Sequence, residues 1–115
     1  MVYNTAMRKY RPRVRALKLA IEVRKRLIKE LGQPVQVIMF GSQARGDAKR
    51  DSDIDLLVIL PAVTSDVRGL VSDVAWEIGF EAGRFISTVP TTKERMKRYA
   101  FLPFYQNVKR EGVRA

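Results

Sequence analysis

The stretch MFGSQARGDAKRDSDIDLLVIL, residues 39–60, decides the fold of this 115-residue chain. Gly41-Ser42 closes one apolar run. Ten residues later Asp53-Ile54-Asp55 opens another, which ends at Pro61. Side chains alternate across a strand, so Asp53 and Asp55 project from one face and can share a hard cation. Gly41 has no Cβ and lets backbone approach a phosphate closely, while Ser42 offers both its hydroxyl and its N–H. Without a cation between them, two carboxylates this close raise each other's pKa. An isolated Asp-x-Asp reads as a solvated strand start, and an isolated Gly-Ser as a turn. Together, in strand–turn–strand order, they point to phosphate and metal chemistry.

Working outward, residues 35–40 form a short buried strand with Pro34 at its start, and residues 53–60 form the second strand. The polar segment between them, 41–52, holds a turn, a short helical piece around Gln43 and Arg45, and a loop. Upstream, Leu17, Ala20, Ile21, Leu27, Ile28 and Leu31 recur at helical spacing and predict a helix over 12–31. Pro12 suits its first position and Gly32 the residue just past its end. Residues 1–11 read as a flexible basic extension. Downstream, Ser65 is the expected cap of a helix whose core stripe is Val67, Leu70, Val71, Val74, Ala75, Ile78 and Ala82, ended by Gly83. A third strand over 84–89 is expected to stop at Pro90. Thr91 and Glu94 have capping-box spacing for a further helix, and Pro103 and Gly112 bracket a last one. The implied fold is α/β (α+β): one domain, residues 1–115, with a small mixed β-sheet covered by helices.

Composition narrows the chemistry. With no Cys and no His, disulfides, thiolate or imidazole zinc sites, Cys nucleophiles and His bases are excluded. Any metal must take oxygen ligands, which suits Mg²⁺ or Mn²⁺. No apolar run approaches the ~20 residues needed to span a bilayer, and no secretory signal is evident. A cytoplasmic protein with no membrane contact is expected. The net charge of +10 is uneven. Residues 1–31 carry +8 and residues 92–115 carry +5, while the centre, 32–91, carries −3. The acidic centre coincides with the candidate metal site. The basic flanks read either as contacts for a polyanion such as RNA or as solvated helix faces.

The run GSQARGDAKRDSDIDLLV resembles the signature of the nucleotidyltransferase superfamily related to DNA polymerase β, in its minimal (MNT) branch. That signature is Gly-Ser, ten residues, then Asp-x-Asp, matched here without a gap. The resemblance implies that Gly41 and Ser42 bind a nucleoside triphosphate, with ATP as the expected substrate. It implies that Asp53 and Asp55 are catalytic and ligate Mg²⁺. Arg45 either approaches the phosphates or pairs with Asp47 or Asp51 to shape the loop. Minimal-branch proteins are often paired with a helical HEPN partner in toxin–antitoxin modules, and the resemblance would make this chain the antitoxin.

One departure stands out. The family design resembles three carboxylates, the third on a later strand, yet 84–89 holds no acid, and Ser87 or Thr88 takes the place. The nearest acids, Glu81 and Glu94, fall in flanking helices. The alternative function is therefore a catalytically degenerate nucleotide-binding or partner-docking module. A basic RNA-binding protein is a third class, and a homo-oligomer is also compatible with the sequence. Phe80, Phe85, Tyr99, Phe101, Phe104 and Tyr105 read as core rather than as base-stacking residues. Trp76, off the helix stripe, reads as interfacial or as partly buried under a loop.

Overall fold

The computed structural model describes residues 10–115. Most of the expected 1–11 extension therefore lies outside the described residues. Arg11 is described, and its backbone runs directly against Gly46. The elements are α1 (Val14–Leu31), β1 (Gln36–Phe40), α2 (Gly41–Arg45), β2 (Ile54–Ile59), α3 (Ser65–Ala82), β3 (Ile86–Thr91), α4 (Lys93–Arg98), α5 (Pro103–Glu111) and β4 (Val113–Arg114). The sheet order is β3-β2-β1-β4. β1 runs antiparallel to β2 and to β4, and β2 runs parallel to β3. The mixed α/β fold read from the sequence is present, with β4 as an added edge strand.

Strand alternation divides the molecule into two layers. On one face Val37, Met39, Ile54, Leu56 and Val58 pack against α1 and α3 through Ala20, Val23, Leu27, Val71, Val74 and Ile78. The two helices are also joined at the surface by an Arg26–Glu77 ion pair. On the other face Ile38, Leu57 and Ile59 meet Val108 of α5, with Phe40, Val89, Met96, Phe104 and Tyr105 around them. Phe104 sets its ring edge-on to Phe40, with centroids 5.4 Å apart. That contact ties α5 to the last residue of β1.

Several sequence expectations shift by a residue or two. α1 starts at Val14 rather than Pro12, with Arg13 as its cap. α3 is capped by Thr64, whose hydroxyl accepts from the Val67 N–H, so Ser65 is already helical. α4 is capped by Thr92, which accepts from Arg95 N–H. Thr91 belongs instead to β3, fully buried, with its hydroxyl 2.8 Å from that of Tyr105. Pro90 does not stop β3 but lies inside it, opposite Val58. The carbonyls of Phe85 and Thr91 face β2, accepting from Ile54 and Leu60. By alternation the Pro90 backbone faces the open edge, where a missing N–H removes no ladder bond.

The aromatic expectation holds only for the second layer. Phe104 and Tyr105 pack in it, whereas Phe80, Phe85 and Phe101 are 70%, 62% and 69% exposed. Trp76, 61% exposed, stacks on Phe80 at 5.0 Å. Trp76 and Phe80 lie off the buried stripe of α3, Phe85 just before β3, and Phe101 in the turn between α4 and α5.

Candidate functional site

The site forms where β1 ends and β2 begins, on the face covered by α5. Register brings Phe40, Asp55 and Ser87 into one row across β1, β2 and β3. Asp53 lies just before β2, which begins at Ile54 rather than at Asp53 as the sequence suggests, and is near enough for its charge to act on Asp55. It is exposed, while Asp55 is half-buried. Burial pushes the Asp55 carboxyl above its ordinary value, and Asp53 and Glu111 add to the rise; Arg45 acts in the opposite direction. One half-buried and one exposed carboxylate side by side, offering only oxygen ligands, suit a hard divalent cation. Among the described residues no group of three or more acids, His or Cys converges on a common point.

Gly41 adopts φ +74°, and a Cβ there would stand 2.5 Å from Asp55 Oδ2. The glycine is required by the carboxylate as much as by any ligand. From Gly41 the chain enters α2, a single turn that ends at Gly46, whose N–H donates to Ser42 O. Gln43, almost fully buried, donates from Nε2 to Ser52 O at 3.0 Å. The Lys49 N–H donates to Ser52 Oγ at 2.9 Å. These bonds tie the loop down directly before Asp53.

Arg45 does not reach for Asp51. Its Nε donates to Asp47 Oδ2 at 3.2 Å, and its terminal nitrogen contacts both carboxylate oxygens of Glu111 at 3.1 and 3.2 Å. Glu111 Oε1 also accepts from Gly41 N–H at 3.0 Å. Sequence reasoning missed Glu111. One local signal was available: an acid in the last turn of a helix opposes the helix dipole, so it needs a partner elsewhere.

Ser87 stands where the register would place a third acid, next to Asp55. On its outer side, Ser87 and Thr88 line a cavity of about 530 Å³ shared with Ser72, Trp76, Phe80 and Arg84. Glu81 and Glu94, the other acids weighed from the sequence, lie on α3 and α4. Glu94 sits 3.5 Å from Arg98.

A glycine turn packed against Asp55, with Asp53 at the entry to the same strand, on a small mixed sheet, is the arrangement of a nucleotidyl-transfer domain. Comparison with known proteins gives the same result: residues 21–111 match the model of the nucleotidyltransferase domain family, and the chain belongs to that family. A candidate protein adenylyltransferase of Methanocaldococcus jannaschii is 32% identical over 82 residues, covering 70% of this chain and 77% of its own. Two crystal structures share the fold. A candidate nucleotidyltransferase of Sulfolobus solfataricus superposes with a TM-score of 0.52 at 22% identity, covering 88% of this chain and 79% of its own. A mutant of the MntA–HpeT toxin–antitoxin superposes with a TM-score of 0.56 at 18% identity, covering 78% and 67%.

Proposed function

We propose that the protein binds ATP with Mg²⁺, or Mn²⁺ in its place, and transfers a nucleotidyl group to a partner protein. In this reading it works in the cytoplasm as the antitoxin of a HEPN-type pair. The observation that carries the proposal is geometric: the half-buried Asp55, with Asp53 beside it, packs directly against the Gly41 turn, so that carboxylates and turn share one end of the sheet. The name of the M. jannaschii relative supports a protein acceptor. The shared fold of the toxin–antitoxin protein supports a partner of that kind.

Asp53 and Asp55 would hold the metal, whose charge would offset that building on the phosphates. Ser42 would orient the triphosphate through its hydroxyl and N–H. The acceptor hydroxyl attacks the α-phosphorus in line, its proton passes to solvent, and the bond to the bridging oxygen breaks to release pyrophosphate. The protein groups position and screen charge; none needs to form a covalent intermediate.

Ser87 motivates a second reading, a module that keeps the nucleotide but has lost turnover. One assay separates the two: incubation with α-labelled ATP, Mg²⁺ and the product of whichever gene adjoins this one. Transfer by wild type, abolished in Asp53→Ala, is expected. Tight Mg-ATP binding with no transfer by wild type, but transfer by Ser87→Asp, would instead establish the degenerate module.

A further inference from the structure

Glu111 is a buried carboxylate, 6% exposed, at the C-terminal end of α5, where the helix dipole disfavours it. The fold fixes it from both sides. Val108 and Phe104 seat α5 on the second face of the sheet, and β4 pairs with Ile38 and Met39 immediately after Gly112. The carboxylate is thereby delivered to Gly41 N–H and to Arg45, residues 70 and 66 positions away. Both groups belong to the turn that faces Asp55.

From this geometry we infer that Glu111 is a positioning residue for the nucleotide turn: it holds the Gly41 peptide and Arg45 in place, so that Ser42 meets the triphosphate in a turn already formed. The consequence for the two neighbours is specific. The Gly41 N–H is committed to Glu111, so the turn grips phosphate through Ser42. Arg45 is neutralised between Glu111 and Asp47, so it acts through the brace and not on the phosphates. Charge-assisted bonds of this kind are the stronger ones, and this pair lies partly shielded from water.

The inference rests on the nucleotide reading for its functional half, and the test keeps the two apart. Wild type, Glu111→Gln and Glu111→Ala are compared by amide exchange at Gly41 and by calorimetry with Mg-ATP, after circular dichroism has checked that each variant is folded at the temperature used. The Gly41 amide is expected to be protected in wild type, partly protected in Glu111→Gln, which keeps an acceptor oxygen, and unprotected in Glu111→Ala. Mg-ATP affinity is expected to fall at least tenfold in Glu111→Ala and by less in Glu111→Gln. A merely structural role would lower the melting temperature and leave the affinity of the folded protein unchanged, and that result overturns the inference. So does equal Gly41 protection in all three proteins. If wild type itself binds no Mg-ATP, the nucleotide reading fails, while loss of Gly41 protection in Glu111→Ala still establishes the brace. Should Glu111→Ala not fold, Glu111→Gln is decisive: full affinity with an unprotected Gly41 amide overturns the inference.

Discussion

At Gly41 the backbone runs at φ +74° with Asp55 Oδ2 in the space a side chain would take. Gly41→Ala therefore meets two penalties, a left-handed backbone and a collision with a carboxylate that must keep its position. A loss of about 1–3 kcal/mol in urea unfolding is expected, and, on the proposed metal-binding role of Asp55, weaker Mg²⁺ binding as that carboxylate is pushed aside. Asp55 allows a sharper test through pH. Its folded-state pKa lies above the ordinary value of 3.8, so the native protein holds this proton more tightly than the unfolded chain does. The charged form thus weakens the fold, a penalty absent below the ordinary value that grows until pH passes the raised one. Asp55→Asn should be more stable than wild type at neutral pH in chelator-treated buffer, with the two curves converging in acid. Parallel curves across that range would refute the assignment. At this scale legibility followed distance along the chain. Gly41, Ser42, Asp53 and Asp55 lie within one strand–turn–strand unit, where spacing reports geometry. Glu111 is 70 positions from the peptide it holds, and only the seating of α5 shows that they meet.

The elements were legible from periodicity, while their ends depended on tertiary contacts. Thr64 and Ser65 are adjacent candidates for one cap, as are Thr91 and Thr92 for another, and each pair is chemically equivalent in sequence. The choice at Thr92 follows from Tyr105, which occupies the Thr91 hydroxyl. Pro90 misled for a related reason. Proline ends a central strand but is tolerated on an edge, and edge position is a property of the sheet. The Thr91–Tyr105 bond joins the end of β3 to α5 and is open to measurement. Tyr105→Phe strands a fully buried hydroxyl and should cost about 1–2 kcal/mol, a drop of roughly 4–8 °C in Tm per kcal/mol for a domain near this size. Adding Thr91→Val should recover part of that loss, because the orphaned group is removed with its partner. Strictly additive losses would show that the two hydroxyls do not depend on each other.

Across the whole molecule the charge of +10 is the dominant long-range feature, and the acidic central stretch, 32–91, lies between basic segments in the sequence. Self-repulsion of this size should make the fold more stable as salt rises from 50 to 500 mM, since screening shortens its reach to a few ångströms. Any RNA binding through the same surface would move the other way, losing affinity steeply over that range and remaining indifferent to Asp53→Ala. Melting curves and filter binding at several salt concentrations distinguish these effects. Among the described residues no helix is long and apolar enough to cross a membrane.

The span from Gly41 to Glu111 also sets a sequence of events in time. The β1–α2–β2 unit is local and can form early, whereas its contact with α5 is among the long-range closures that chains make slowly. A partly folded molecule would then carry the phosphate turn and both aspartates with no brace behind them. Conversely, an opening confined to α5 and β4 would slacken the turn while the central strands stayed paired. Competence for ligand would be gained last on folding and lost first on unfolding.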